Sequence, residues 1–288
     1  MKRYCTGAKT IYDTVDLQFL RESRQASIEN NEKLRKQAEE TKATELHLAK
    51  SSDITFVVSP TEKEILLKED ASLNVAIVSN IHSAIKAPRP FSGRKDILFV
   101  GGFAHIPNVD AALYFVREIF PLIKQKMPDV HFYIVGSDPP KQVLSLRSNA
   151  VVVTGYVKDV APYFENCRVF VAPLRYGAGV KGKINQSMSY GLPVVTTSIG
   201  AEGMALADGV NALIADEAEE FAAKVARLYE DEKLWNNVSQ SSIRNIEQYY
   251  SYDVARTALR EILAKLTEVE EKSPPRRSKP ASAWEKNA

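Results

Sequence analysis

Short runs of consecutive apolar residues alternate with helical patterns through the middle of the chain. Such runs predict strands buried on both faces of a parallel sheet, because a strand with one face in water would alternate apolar and polar positions. The predicted strands cover residues 97–101, 130–135, 151–154, 169–172, 194–197 and 212–214. Residues 110–126 repeat apolar side chains at the spacing of an amphipathic helix. This alternation predicts a doubly wound, Rossmann-like α/β sheet with ligands beyond the carboxyl ends of its strands.

The first 85 residues carry a shorter version of the same pattern. Apolar runs at 9–15, 54–58 and 75–78 predict three strands, and the highly charged stretch after the first of them predicts one long helix over 16–50. Three strands are too few for an independent α/β domain. We therefore expect residues 1–85 to be a partial N-terminal α/β domain.

Changes in composition divide the rest of the chain. Two prolines and a glycine within residues 86–95 predict a linker. Residues 96–267 then form the main domain. The last stretch, 268–288, carries three prolines and mixed charges and is predicted to be disordered.

Composition and charge narrow the functional classes. The 38 basic and 36 acidic residues leave a net charge of +2, which gives no general attraction to nucleic acid. Two cysteines and four scattered histidines lack the spacing of a zinc site or a disulfide framework. No apolar run is long enough to span a bilayer, and the N-terminus lacks the apolar stretch of a signal peptide. We expect a cytoplasmic protein without a bound metal.

The densest chemical signal is the stretch PLRYGAGVKGKINQ at residues 173–186, directly after a predicted strand. Its glycines allow a ligand close to the backbone, and the helix start that follows offers unpaired N–H groups to an anion. Lys181 and Lys183 make a diphosphate the expected guest. Two positions apart on a helix they diverge, so we expect only one of them to reach it. The alternative is a flexible surface loop with solvated lysines.

The spacing Gly177-x4-Gly182-Lys183 also matches the start of an ATPase phosphate loop. Ile184, however, stands where a hydroxyl would hold Mg²⁺, and no acidic partner for a metal is evident. The sequence therefore disfavours triphosphate hydrolysis.

Two further loops follow predicted strands. In GGFAHIPN, Gly102 permits close approach of a ligand and His105 can bond a sugar or phosphate oxygen, although it can equally be an exposed loop histidine. Asn108 is expected to cap the next helix, with Asp110 in its first turn. Residues 154–159 offer a backbone edge for a nucleobase, or form only a turn and a helix cap.

Several of these stretches resemble one known family. GGFAHIPNVDA, PLRYGAGVKGKINQSMSYGLPVVTT and GAEGM resemble the C-terminal, donor-binding domain of retaining GT-B glycosyltransferases of family four (glycosyl transferases group 1). IYDTVDLQFLRE and SSDITFVVSPTEKEIL resemble the end of the N-terminal domain of those enzymes. The resemblance covers residues 10–265. It implies metal-independent transfer from a nucleotide-diphosphate sugar in a cleft between two Rossmann-like domains.

Carried over by position, the resemblance implies two groups of donor-binding residues. The diphosphate would contact Gly102, Gly179, Lys181 and Lys183. The nucleoside and sugar would contact His105, Asn108, Gly155, Val157, Arg175 and Gln186. The family's paired glutamates fall on Ala178 and Gln186, and the amide at 186 loses charge assistance to ribose worth about 1–2 kcal/mol. The resemblance assigns no catalytic residue and no cofactor besides the donor.

The leading hypothesis is a hexosyltransferase-type enzyme acting on a glycan, lipid or protein acceptor. The alternative is a catalytically incomplete nucleotide-sugar-binding or partner module, which Gln186 and the short N-terminal region favour. An unrelated Rossmann-like epimerase or phosphatase does not account for the glycine–lysine helix. Because three strands leave an edge unpaired, we also expect self-association or pairing with a separate polypeptide through residues 1–85, which light scattering measures.

Overall fold

The computed structural model describes residues 5, 7–85 and 87–271, which form two parallel β-sheets with helices packed around them. The smaller sheet belongs to the N-terminal region and the larger one to the main part of the chain, so the predicted α/β class is confirmed. The last helix continues to Glu271. Most of the predicted disordered tail lies outside the described residues.

Three parallel strands form the smaller sheet, as the sequence predicts. They are β1 (Ile11–Asp13), β2 (Ile54–Val57) and β3 (Val75–Ile77), in the order β1-β2-β3. All four residues of the central strand β2 are buried. In the described part of the chain β1 pairs only with β2, and Ile11 is 45% exposed. This open edge is where the expected pairing with a further strand would take place.

The helical stretch between the first two strands is a hairpin and not one long helix. It consists of α1 (Gln18–Glu29) and α2 (Glu32–Ser51). Asn30 ends α1 in the left-handed region at φ +47°, which asparagine tolerates better than most residues. Asn31 then caps α2, its side chain accepting from two backbone N–H groups of the first turn. The prediction of a single helix over 16–50 is wrong because this asparagine pair turns the chain.

All six strands predicted for the main domain are present and pair in parallel. They are β4 (Ile97–Val100), β5 (Phe132–Val135), β6 (Val151–Gly155), β7 (Val169–Ala172), β8 (Val194–Thr196) and β9 (Leu213–Ile214). Their order is β6-β5-β4-β7-β8-β9. The chain moves outward from β4 to β6 and then places β7 on the other side of β4. The carboxyl ends of β4 and β7 therefore form the switch point at which doubly wound sheets bind ligands.

Helices cover both faces of the larger sheet, and successive residues of β4 show this directly. Ile97 and Phe99 belong to one buried apolar cluster and Leu98 to a second one, and all three are fully buried. After α2, the α-helices of the described residues are α3 (Pro60–Glu69), α4 (Ile106–Tyr114), α5 (Phe120–Lys126), α6 (Lys141–Leu144), α7 (Ala161–Asn166), α8 (Gly182–Ser189), α9 (Ser198–Ala201), α10 (Ala218–Glu230), α11 (Glu232–Tyr249) and α12 (Tyr252–Glu271). None of the helices in the described ranges is long and apolar enough to cross a membrane.

The helix predicted over 110–126 contains a wide turn. Residues Phe115–Ile119 between α4 and α5 are π-helical, and the N–H of Phe120 donates to the carbonyl of Phe115. Pro121 follows and has no N–H to continue a regular pattern. The apolar stripe survives this change, because Phe115, Ile119 and Ile123 are all fully buried.

Candidate functional site

A cavity of about 250 Å³ opens at the switch point, between the N-terminal region and the carboxyl ends of β4 and β7. Its walls are formed by Val15, Asp16, Asn80, His105, Pro107, Asn108, Leu174, Tyr176, Gly177, Ala178, Val180, Lys181, Gly182 and Lys183. Typical ligand pockets measure roughly 300–1,000 Å³, so this cavity is slightly smaller than a complete pocket for a drug-sized ligand. Four of the ten predicted donor-binding residues line it: His105, Asn108, Lys181 and Lys183.

Lys181 places a buried cation in the wall of the cavity. The residue immediately precedes α8 and is only 7% exposed. Its Nζ has no hydrogen-bond partner within the described residues. Burial lowers the pKa of Lys181 to about 8, against the opposing effect of the nearby carboxylates of Glu202, Glu62 and Asp16. A buried ammonium without a direct partner is costly, and an anion in the cavity would remove that cost.

Lys183, the second residue of α8, lines the same cavity. Its Nζ donates to Oδ1 of Asn108 and lies 5.0 Å from the centre of the Phe99 ring. Burial and the positive charge of Lys181 lower the pKa of Lys183 to about 7. We expected the two lysines to diverge, yet both line the cavity. The reason is that Lys181 lies before the helix, so the helical spacing does not separate them.

Asn108 joins the two glycine-bearing loops. Its Nδ2 donates to the carbonyl of Gly102 at 2.7 Å, while its Oδ1 accepts from Lys183. A Cβ added at Gly101 would lie 2.7 Å from the Asn108 amide, so a larger residue there would displace this amide from its hydrogen bonds. The expected capping role is wrong, because α4 begins two residues earlier with Pro107 in its first turn.

His105 directly precedes α4 and forms part of the cavity wall as an exposed residue. Partial desolvation and the positive charges of Lys183 and Arg21 hold the pKa of His105 well below its ordinary value. The ring is therefore neutral at pH 7 and offers one hydrogen-bond donor and one acceptor.

Two residues predicted to contact the nucleoside lie outside the cavity wall. The guanidinium of Arg175 pairs with Asp110, with 3.0 Å between Nε and Oδ2, and lies 5.0 Å from the centre of the Tyr114 ring. Asp110 is the fifth residue of α4, beyond the first turn in which we expected it. Gln186 is half-buried in the second turn of α8. A ligand that binds Arg175 must share it with Asp110.

The two glycines predicted near the diphosphate have different surroundings. A Cβ at Gly102 would meet only Ser137 Oγ, at 3.7 Å, so this face of the loop is open to a ligand. Gly179 has a φ of +67° and abuts the N-terminal region, where a Cβ would lie 2.9 Å from Cβ of Asp16. The absence of a side chain at Gly179 thus allows the N-terminal region to pack closely against this loop.

Gly155 is the last residue of β6, the edge strand of the larger sheet, and Val157 follows it. Gly155 has a φ of +75° and faces open space. Tyr156 beside it is 77% exposed, and Val157 is partly buried against the second apolar cluster. This surface lies outside the cavity wall and is accessible to a flat ring.

Sequence reasoning missed the contribution of the N-terminal region to the cavity. Asp16 and Asn80 line it, although the sequence pattern around Asp16 predicts only the start of a helix. The signal was available, because Asp16 closely follows the carboxyl end of β1. Loops at that end of a parallel strand are the usual ligand-binding loops.

Arg24 of α1 fastens the N-terminal region to the loop after β7. Its guanidinium donates to both carboxylate oxygens of Glu202 at 2.7 Å and to the carbonyl of Gly177, also at 2.7 Å. Two-pronged pairs of this kind are among the stronger ionic hydrogen bonds in proteins. These bonds hold the N-terminal region beside the loop after β7, and residues from both parts of the chain line the cavity.

The larger sheet matches a known family. Residues 94–231 match the family model described as Glycosyl transferases group 1. An uncharacterized 44.6 kDa protein of the cps region of Klebsiella pneumoniae is 30% identical over 140 residues. That alignment covers 45% of this chain and 36% of the Klebsiella protein. The chain therefore spans about a third of this relative's length.

Solved structures define the class of fold as GT-B. A structure of S. aureus TarM with UDP has a TM-score of 0.66 at 19% identity. The match covers 78% of this chain and 46% of the TarM chain. Anabaena Alr3699/HepE in complex with UDP and glucose has a TM-score of 0.63 at 16% identity. Here the match covers 89% of this chain and 71% of the HepE chain. The two sheets of this chain thus have the architecture of GT-B glycosyltransferases.

Proposed function

We propose that this chain binds a nucleotide-diphosphate sugar and transfers the sugar to a glycan, lipid or protein acceptor with retention of the anomeric configuration. The observation that carries the proposal is the buried ammonium of Lys181, which has no partner within the described residues and lines the cavity at the start of α8. The family match over residues 94–231 and the UDP and glucose bound to HepE support this class of donor.

The two lysines and the start of α8 would bind the diphosphate. The N–H groups of Gly182 and Lys183 lie in the first turn of the helix, where no intrahelical acceptor exists. Together with the ammonium groups they would stabilise the charge that develops on the leaving diphosphate. This contribution is electrostatic and requires no metal. Within the described ranges, no three metal-binding side chains of His, Cys, Asp or Glu cluster together.

The nucleoside would extend from the cavity towards residues 155–157, where the exposed ring of Tyr156 offers a stacking surface. The Gln186 amide would accept one hydrogen bond from ribose. A second candidate function is a nucleotide-sugar-binding module without transfer. The observation that favours it is the uncharged amide at Gln186, where the resembling family has a carboxylate.

Calorimetric titration with UDP, GDP and ADP, each with and without EDTA, tests donor binding. We expect at least one nucleotide to bind, with no effect of EDTA. The double variant Lys181→Ala, Lys183→Ala should bind it about 1.5–3 kcal/mol more weakly, the range for hydrogen bonds to charged groups. Lys233→Ala, at an exposed lysine of α11, is the matched control.

Unchanged affinity in the double variant would remove this cavity from consideration, and loss of binding in EDTA would overturn the metal-independent proposal. A turnover assay with UDP-glucose, UDP-N-acetylglucosamine and GDP-mannose separates the two candidate functions. Sugar transfer supports the enzyme, whereas tight binding without turnover supports the binding module.

The affinity for a nucleoside diphosphate is expected to fall as the pH rises from 7 to 9. Burial lowers the pKa of Lys183 to about 7 and that of Lys181 to about 8, so both lose protons across this window in the free protein. A bound diphosphate favours the ammonium forms, and binding therefore takes up protons. Titration in two buffers of different ionisation enthalpy measures this uptake. An affinity that does not change between pH 7 and 9 would contradict the prediction.

A further inference from the structure

A strained turn after β1 carries Asp16 to the cavity. Val15 has a φ of +61°, in the left-handed region that β-branched residues avoid, and is 71% exposed. Packing of the Val15 side chain therefore does not explain the conformation. Within the turn, the Asp16 N–H donates to the carbonyl of Thr14 at 2.6 Å. Strain of this kind persists where surrounding contacts enforce it, and it is concentrated at ligand sites.

Two buried carboxylates fix the backbone that follows the turn. Glu62 is only 2% exposed, and it accepts hydrogen bonds from the N–H groups of Leu17 at 3.0 Å and Val58 at 3.2 Å. Glu45 accepts hydrogen bonds from the N–H groups of Gln18 at 3.1 Å and Phe19 at 3.2 Å. The start of α1 thus has carboxylates of two other helices in place of a local cap. The position of Asp16, just before these residues, is set by the fold.

The cavity therefore holds charges of both signs. Lys181 and Lys183 line it from the main domain, and the half-buried carboxylate of Asp16 lines it from the N-terminal region. The guanidinium of Arg21 bonds Oδ2 of Asp16, and no hydrogen bond occupies Oδ1 within the described residues. A carboxylate only accepts hydrogen bonds and repels a diphosphate. The ligand group that fits Asp16 is thus a neutral donor close to the phosphates.

We propose that Asp16 accepts a hydrogen bond from a hydroxyl group of the donor's sugar and helps to select that sugar; this rests on the proposed function. The sugar is joined directly to the diphosphate, and its hydroxyls are neutral donors. A diphosphate bound to Lys181, which is buried and has no hydrogen-bond partner among the described residues, would bring them into the same small cavity as Asp16. Glu62 is a positioning residue in this arrangement, because it acts only through the turn.

The test compares the nucleotide with its sugar conjugates in the intact chain. Calorimetry with UDP, UDP-glucose and UDP-N-acetylglucosamine, or the GDP series if GDP binds, is performed on the wild type, Asp16→Ala and Asp16→Asn. We expect Asp16→Ala to weaken nucleotide-sugar binding about ten- to hundredfold, the range for a lost hydrogen bond to a charged group, and to leave nucleotide binding within about twofold. The isosteric Asp16→Asn should show a smaller loss. Asp129→Asn, at an exposed carboxylate outside the cavity wall and far along the chain from this turn, is the matched control.

The outcomes separate this inference from the proposed function. A wild-type protein that binds no nucleotide overturns both. Nucleotide binding that is intact in the wild type, with equal losses for nucleotide and nucleotide sugar in the Asp16 variants, overturns the role of Asp16 alone. The same holds if the variants bind the nucleotide sugars as tightly as the wild type does.

Discussion

Replacement of Lys181 by methionine is expected to raise the free energy of unfolding at pH 7 by about 1–3 kcal/mol and to weaken nucleoside diphosphate binding by a similar amount. The ammonium has no hydrogen-bond partner within the described residues, and burial lowers the pKa of Lys181 to about 8. The charged form of Lys181 therefore destabilises the folded state relative to the unfolded state. This penalty is full below about pH 8 and fades as the pH approaches about 10.4, the value of an unfolded lysine.

Urea denaturation of both proteins at pH 7 and pH 10 measures the effect, together with calorimetric titration of UDP. The stability difference between wild type and Lys181→Met should shrink at the higher pH. Lys183→Met is the comparison variant, because it removes an ammonium that is also buried but already bonds Asn108. A Lys181→Met protein that is less stable than the wild type at both pH values would show that the ammonium is already compensated in the free protein.

Replacement of Arg94 by methionine is expected to lower the free energy of unfolding by about 3–5 kcal/mol. Arg94 is only 1% exposed and stands 5.4 Å from the centre of the Trp235 ring. Its guanidinium donates to the backbone carbonyls of Arg89 at 2.8 Å, Phe164 at 2.6 Å, Cys167 at 3.2 Å and Tyr190 at 3.1 Å. Methionine would leave several of these buried acceptors without a donor, at a cost of about 1–3 kcal/mol each.

Chemical denaturation monitored by tryptophan fluorescence, to which Trp235 beside Arg94 contributes, measures this loss. Arg89→Met is the matched control, because its side chain is exposed and its carbonyl, which Arg94 uses, is retained. A change of less than about 1 kcal/mol in Arg94→Met would mean that water or a rearranged loop replaces the guanidinium.

Arg94 also shows how firmly the connection between the two sheets is attached. It lies near the end of the segment 86–95 that the sequence predicts as a linker, yet it is part of the buried interior. Just before that segment, the N–H of His82 donates to the carbonyl of Tyr250 at 2.8 Å. The N–H of Ile85 donates to the carbonyl of Ser189 at 2.9 Å. The chain is thus held against the main domain just before the predicted linker and again near its end.

The fold of the main part was predictable from the sequence because it rests on local periodicity. Strands buried on both faces must be apolar at consecutive positions, and β7, from Val169 to Ala172, follows this rule at all four residues. The glycine–lysine stretch was equally visible, since its meaning depends only on following a strand and preceding a helix. The turn at Asn30 was a local signal too, and the charged pattern around it concealed it.

The tertiary structure alone decided which groups share the cavity. Nothing in the sequence near Lys181 shows that its ammonium is buried with no partner among the described residues, because the charges around it include Asp16, Arg24 and Glu62, which are far away along the chain. Asp16 reaches the same cavity from a strained turn, and Glu62 and Glu45 bond the N–H groups of the residues that follow it. Periodicity is set by neighbours along the chain and can be read from the sequence. The charges that meet in a cavity are set by segments far apart in the chain, and their positions follow only from the folded packing.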